Sequence, residues 1–128
     1  MLPIFTDKAP KPLGPYSQAV LAGGFLFLSG QIGIDPETGE LKEGFKHQAQ
    51  QVFKNIQAIL ESARAKKENI VRVVVYIKDI NLFKEFNELY EEFFKDIAVK
   101  PARTTVEVSK LPFGALVELE ITAYLGER

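Results

Sequence analysis

The stretch Ile70-Val-Arg-Val-Val-Val-Tyr-Ile-Lys78 decides the fold. Nine residues rich in β-branched side chains, bounded by polar neighbours, read as a strand. Val71, Val73, Val75 and Ile77 fall on one face by the period of two, and Val74 and Tyr76 make the other face partly apolar as well. A strand that is apolar on both sides belongs in a sheet covered on both sides. What flanks it supplies one cover. Upstream, Phe45, Ala49, Val52, Phe53, Ile56, Ile59, Leu60 and Ala63 recur at three- and four-residue steps, which predicts an amphipathic helix ending near Lys67. Downstream, Asp79 or Asn81 offers a cap for a second helix carrying Leu82, Phe83, Phe86, Leu89, Tyr90, Phe93 and Phe94.

Working outward, Tyr16 to Leu28 holds two apolar runs split by Ala22-Gly23-Gly24, a hairpin signal. A short third run, Ile32 to Ile34, precedes the turn Asp35-Pro36-Glu37-Thr38-Gly39. Pro101 ends the second helical connection, Ala102 to Val108 alternates as a strand, Leu111 to Gly114 turns the chain, and Leu116 to Leu125 forms the last strand. The order is β-β-(β)-α-β-α-β-β, an α+β domain spanning residues 1–128 whose two helices cover one face of a mixed sheet. The second apolar face then predicts an oligomer that buries it between subunits.

Composition excludes several classes of function. The chain has 128 residues, 46% apolar and 26% charged, with sixteen Lys and Arg against seventeen Asp and Glu. That balance suits a soluble domain and offers no cationic stripe for nucleic acid. Cysteine is absent, which removes disulfides, thiolate metal sites and a cysteine nucleophile. His47 is the only histidine and sits among polar residues near the first helix start, so it reads as an exposed helical side chain. No Walker-type loop, dinucleotide fingerprint or HExxH pattern occurs, and neither a cofactor nor a metal is expected. No run reaches the length of a membrane span, and the proline-rich start lacks the apolar core of a signal peptide, so a cytoplasmic address is expected.

Three groups of residues carry candidate chemistry. Arg103 is one of four arginines and lies inside a strand-like run. Its fork suits two parallel hydrogen bonds to a carboxylate, either that of a ligand or that of a structural salt bridge across the sheet. Glu118 and Glu120 share one face of the last strand, opposite Val117, Leu119 and Ile121. One of them can act as a general base, or both can line a solvated face or pair with lysines. Ser29-Gly30 can present a hydroxyl and backbone N–H groups to an anion, or simply turn the chain.

The strings Gly14-Pro-Tyr-Ser-Gln-Ala-Val20, Ser29-Gly-Gln-Ile-Gly-Ile-Asp-Pro-Glu-Thr-Gly39, Asn87-Glu-Leu-Tyr-Glu-Glu-Phe-Phe94, Pro101-Ala-Arg-Thr-Thr-Val-Glu-Val108 and Val117-Glu-Leu-Glu120 strongly resemble the RidA (YjgF) family. The resemblance runs in order across nearly the whole chain, and the Pro-Ala-Arg and Glu combination near the C-terminus is its most specific mark. It implies a chorismate-mutase-like α+β fold, a homotrimer, and ligand pockets at the subunit interfaces. It also implies hydrolysis of 2-imino acids such as 2-iminopropanoate and 2-iminobutanoate to 2-oxo acids and ammonia. Carried over by position, Arg103 matches the arginine that clamps the substrate carboxylate and Glu118 the glutamate that holds the attacking water. Tyr16, Ser29, Gly30 and Asn87 match residues that line or close the pocket. Thr105 stands where several members have cysteine, so a thiol has no role there, but the threonine hydroxyl can hydrogen-bond a ligand or water. Two other functions stay open: a trimeric module that binds 2-oxo acids without turnover, and the RNA-directed activity with which some members have been linked, against which the near-neutral charge argues.

Overall fold

The computed structural model describes residues 1–126. Its strands are β1 (Leu2–Ile4), β2 (Ala19–Ala22), β3 (Phe25–Leu28), β4 (Ile70–Ile77), β5 (Ala102–Glu107) and β6 (Val117–Tyr124), with helices α1 (Phe45–Ser62) and α2 (Phe83–Phe93). The strands form one sheet in the order β1-β2-β3-β6-β4-β5. Only the β4–β5 pair is parallel.

Topology explains why both helices lie on one side. Strands β3 and β4 each run antiparallel to β6, so they are parallel to one another. The connection β3-α1-β4 is therefore a crossover, as is β4-α2-β5, and both step in the same direction along the sheet. Crossovers of one hand taken in one direction leave their helices on the same face. That face is the core. Leu26, Leu28, Val73, Val75, Ile77, Val117, Leu119, Ile121 and Ala123 are buried beneath Val52, Phe53, Ile56, Ile59 and Leu60 of α1 and Phe86 of α2. Aromatic rings join the helices, with Phe53 stacked on Phe93 at 4.6 Å between centroids.

The opposite face carries Phe25, Phe27 and Tyr124, all exposed, beside the half-buried Val74 and Tyr76. The partly apolar second face expected from the sequence is present and uncovered within one chain.

Three expectations need correction. The run Ile32 to Ile34 is not a strand: it makes only single bridges, Gln31 to Leu119 and Ile34 to Leu41. The additional strand is instead β1, at the sheet edge, where Pro3 is tolerated. Val71 is exposed rather than buried, because a register shift between Ile70 and Arg72 inserts one residue into β4 and turns it outward. Finally, α1 stops at Ser62, not near Lys67. Arg64 adopts a left-handed conformation (φ 59°), with its N–H bonded to the carbonyl of Glu61 and the N–H of Ala65 bonded to that of Leu60. This is a Schellman ending with arginine where glycine is usual.

The glycine-marked hairpin is as expected, with Ala22 facing Phe25. Gly23 supplies the positive φ of 61°, while a Cβ on Gly24 would collide with the backbone of Gly126. Asp79 accepts the N–H of Asn81 and caps a short turn that feeds α2.

Candidate functional site

The sequence-predicted residues divide into two groups on opposite faces of the sheet. In the parallel pair, Val73 lies beside Arg103 and Val75 beside Thr105. Since Val73 and Val75 belong to the helix-covered face, Arg103 and Thr105 do as well. In the antiparallel pair, Tyr76 lies beside Glu118 and Val74 beside Glu120, which places both glutamates on the open face. The two side chains proposed for one reaction thus point away from each other within a chain.

On the helix-covered side, Arg103 reaches under α2. Its Nη2 donates to Asn87 Oδ1 at 2.7 Å. The guanidinium carbon lies 4.7 Å from the ring centroid of Tyr90, 5.4 Å from that of Phe83 and 5.5 Å from that of Phe86. These residues, at three- and four-residue spacing around Asn87, form one face of the helix. Among the described residues, no carboxylate lies within ion-pair distance of Arg103, so the structural salt bridge is not made. Burial lowers the affinity of the guanidinium for its proton, opposed by the Tyr90 ring, although an arginine stays charged in proteins. Burial likewise pushes the Tyr90 hydroxyl up to about 12, against the pull of Arg103. Both Tyr90 Oη and Thr105 Oγ1 are buried without a hydrogen-bond partner. Glu107, beside Ile77 on the same face of β5, accepts the N–H of Ile80 at 2.9 Å.

On the open side, Tyr16, Leu28, Ser29, Gly30, Pro112, Glu118 and Glu120 line a shallow recess. The segment leaving β3 is pinned to β6 by paired bonds between Gln31 and Leu119, at 2.9 and 3.1 Å. This brings the carboxylate of Glu118 against Gly30, so closely that a Cβ there would overlap Oε2. The glycine makes room for the carboxylate and is not called for by a left-handed turn. Burial raises the affinity of Glu118 for its proton, and the charge of Glu120 adds to it. Ser29 Oγ donates to the carbonyl of Ser17 at 2.6 Å, and Tyr16 Oη accepts the N–H of Leu13 at 3.0 Å. Both hydroxyls are therefore fixed in place by the 10–18 loop.

His47 is exposed on α1 and belongs to neither group. Among the described residues, no group of three or more His, Asp or Glu side chains is arranged to hold a metal ion, and no helix is long and apolar enough to cross a membrane. The aromatic cradle of Arg103 was hidden in the sequence because Phe83, Phe86 and Tyr90 read as a core stripe. Only Asn87, a polar residue within that stripe, signalled that something other than apolar packing happens there.

The family model described as Endoribonuclease L-PSP matches residues 6–125. A RutC family protein of Aquifex aeolicus is 64% identical over 123 residues, covering 96% of this chain and 98% of that protein. A 2-iminobutanoate/2-iminopropanoate deaminase of Dermatophagoides farinae is 44% identical over 118 residues, with 91% of each chain covered. Among solved structures, a protein of the conserved Rid family from Yersinia pestis superposes with a TM-score of 0.93 at 47% identity, over 95% of this chain and 97% of that one.

Proposed function

The chain belongs to the RidA (YjgF) family, covered by the Endoribonuclease L-PSP model, and from that premise we propose that it hydrolyses reactive 2-imino acids to 2-oxo acids and ammonia. The observation that carries this reading is the half-buried guanidinium of Arg103. It is held by one hydrogen bond and three aromatic faces, and it has no carboxylate of its own. A desolvated cation left unpaired is costly, and a ligand carboxylate supplies the missing partner.

Arg103 fixes that carboxylate. Glu118 then aims one water at the imine carbon. The protonated imine is already an electrophile, so the enzyme's task is to position reactants and move a proton. Water adds to carbon and loses a proton to Glu118; the carbinolamine takes that proton on nitrogen, and the C–N bond breaks as the hydroxyl oxygen becomes the carbonyl. The hydroxyl proton leaves with ammonia as ammonium. The raised proton affinity of Glu118 suits a group that must both accept and return.

Because Arg103 and Glu118 face opposite sides of one sheet, a single ligand meets both only if two copies contribute. We place the pocket between subunits of a closed homotrimer, Arg103 and Asn87 from one copy and Tyr16, Ser29, Gly30 and Glu118 from the next, with Thr105 beside Arg103. The exposed Phe25, Phe27 and Tyr124 supply apolar surface for such an assembly.

The test is to generate 2-iminopropanoate in situ with an amino-acid oxidase and follow its decay with and without the protein, running Arg103→Ala in parallel. Decay is expected to accelerate with the native protein and not with the variant. No acceleration by a folded assembly that still binds 2-oxo acids would replace hydrolysis by carboxylate binding.

A further inference from the structure

The reading above uses one carboxylate of the open face, yet two stand there. Glu118 and Glu120 are two residues apart on β6, about 6.6 Å along an extended strand, and both line the same recess. What distinguishes them lies on the neighbouring strand. Tyr76 is the register partner of Glu118, but its hydroxyl bypasses that residue and donates to Glu120 Oε1 at 2.8 Å. Glu118 receives no hydrogen bond from any described residue and leans on Gly30 instead.

We propose that Tyr76 and Glu120 are positioning residues for Glu118: the Tyr76 hydroxyl is committed to Glu120, which leaves Glu118 as the carboxylate that takes up the proton and returns it. This rests on the assignment of Glu118 as the proton carrier in imine hydrolysis. The chemistry is that of two like charges sharing a site. A hydrogen bond to the ionised form of one carboxylate favours charge there, and that charge directs the available proton to the other. The bond to Glu120 also strengthens the hold of Tyr76 on its own proton, so the phenol stays a donor.

The remaining groups around Glu118 offer it no hydrogen bond. From the loop come the hydroxyls of Tyr16 and Ser29, each committed to a backbone group. From β4 comes Arg72, on the same face four residues before Tyr76, which reaches toward Thr104. Phe27 of β3 and Pro112 carry no charge. In the assembled pocket the Arg103 of the adjoining copy is engaged by the substrate carboxylate.

Two conservative variants, Tyr76→Phe and Glu120→Gln, test the pair by two readouts. One is the titration of the Glu118 side-chain carboxyl, followed by carbon NMR of the labelled native assembly and independent of activity. The other is the acid limb of the kcat/KM profile for 2-iminopropanoate. Both variants are expected to move the Glu118 midpoint to lower pH, Glu120→Gln by more, and to move the acid limb with it while KM changes little. An unchanged Glu118 titration in both folded variants overturns the proposal even if imine hydrolysis is established. A shifted titration in a protein that hydrolyses no imine leaves the pair standing and removes the reaction.

Discussion

The two halves of the candidate pocket are built on opposite principles. The Arg103 half is partly covered: a guanidinium under a helix, held by Asn87 and faced by three rings. The Glu118 half is open and light: a carboxylate resting on a glycine, in a shallow recess at the uncovered sheet face. On the proposed reaction the first half binds and the second acts by placement, so disturbing the first is expected to cost recognition and disturbing the second to cost rate. Within a chain the two halves lie on opposite faces, and neither neutralises the other.

The largest effect is expected at Arg103. A charge-assisted bidentate bond to a carboxylate is worth about 1.5–3 kcal/mol, or roughly 10- to 150-fold in kcat/KM. Arg103→Lys should recover little of this, since an ammonium is not a fork and stacks poorly under Tyr90. Steady-state kinetics with in situ imine generation check it, and wild-type constants from the lysine variant would remove the clamp. Next comes Gly30→Ala. The added methyl meets the far end of a flexible side chain, so the fold should tolerate it, but Glu118 must move. We expect kcat to fall by about 10- to 100-fold, with thermal stability and KM nearly unchanged. Equal losses in kcat and stability would show instead that Gly30 serves the turn.

A smaller effect separates the halves by pH. The folded protein binds a proton at Glu118 more tightly than the unfolded chain does, so ionising this group destabilises the fold. That penalty is absent below the unfolded carboxyl range near 4 and is fully present above the raised folded value. Glu118→Gln should therefore melt slightly higher than wild type at neutral pH, with the gap closing in acid; a gap that widens in acid reverses the sign and the account. The smallest effect is at Thr105. Its buried hydroxyl has no partner, so Thr105→Val should be neutral or stabilising by at most about 1 kcal/mol in denaturant melts. A loss of turnover in that stable variant would assign the hydroxyl to the ligand.

The sequence is a good guide to faces and a poor one to pairing. The apolar period of α1 and the alternation of β6 both match the buried apolar residues, because side-chain burial follows directly from helical and strand geometry, although Gln48, Gln51 and Asn55 of α1 are buried as well. The bulge at Val71, the edge strand around Pro3 and the left-handed Arg64 leave no periodic mark. The first two are set by strand pairing, and the third by backbone bonds at the helix end, none of them by residue type. The candidate site shows the same split. Arg103 and Glu118 stand out by charge in apolar strands, and the family strings assign them a joint role. That they face apart follows only from the parallel β4–β5 pair set against the antiparallel β4–β6 pair, which no local pattern records.

The most direct measurement is complementation between two inactive copies. Differently tagged Arg103→Ala and Glu118→Gln chains would be co-expressed, and mixed assemblies isolated by tandem affinity. If each pocket takes Arg103 from one subunit and Glu118 from the next around a closed ring of three, every mixed trimer holds one intact pocket, about a third of its total. The account predicts that this share of imine hydrolysis returns, although neither variant alone shows it. Mixed assemblies that stay inactive, or a wild-type monomer that is fully active, would contradict a pocket shared between copies.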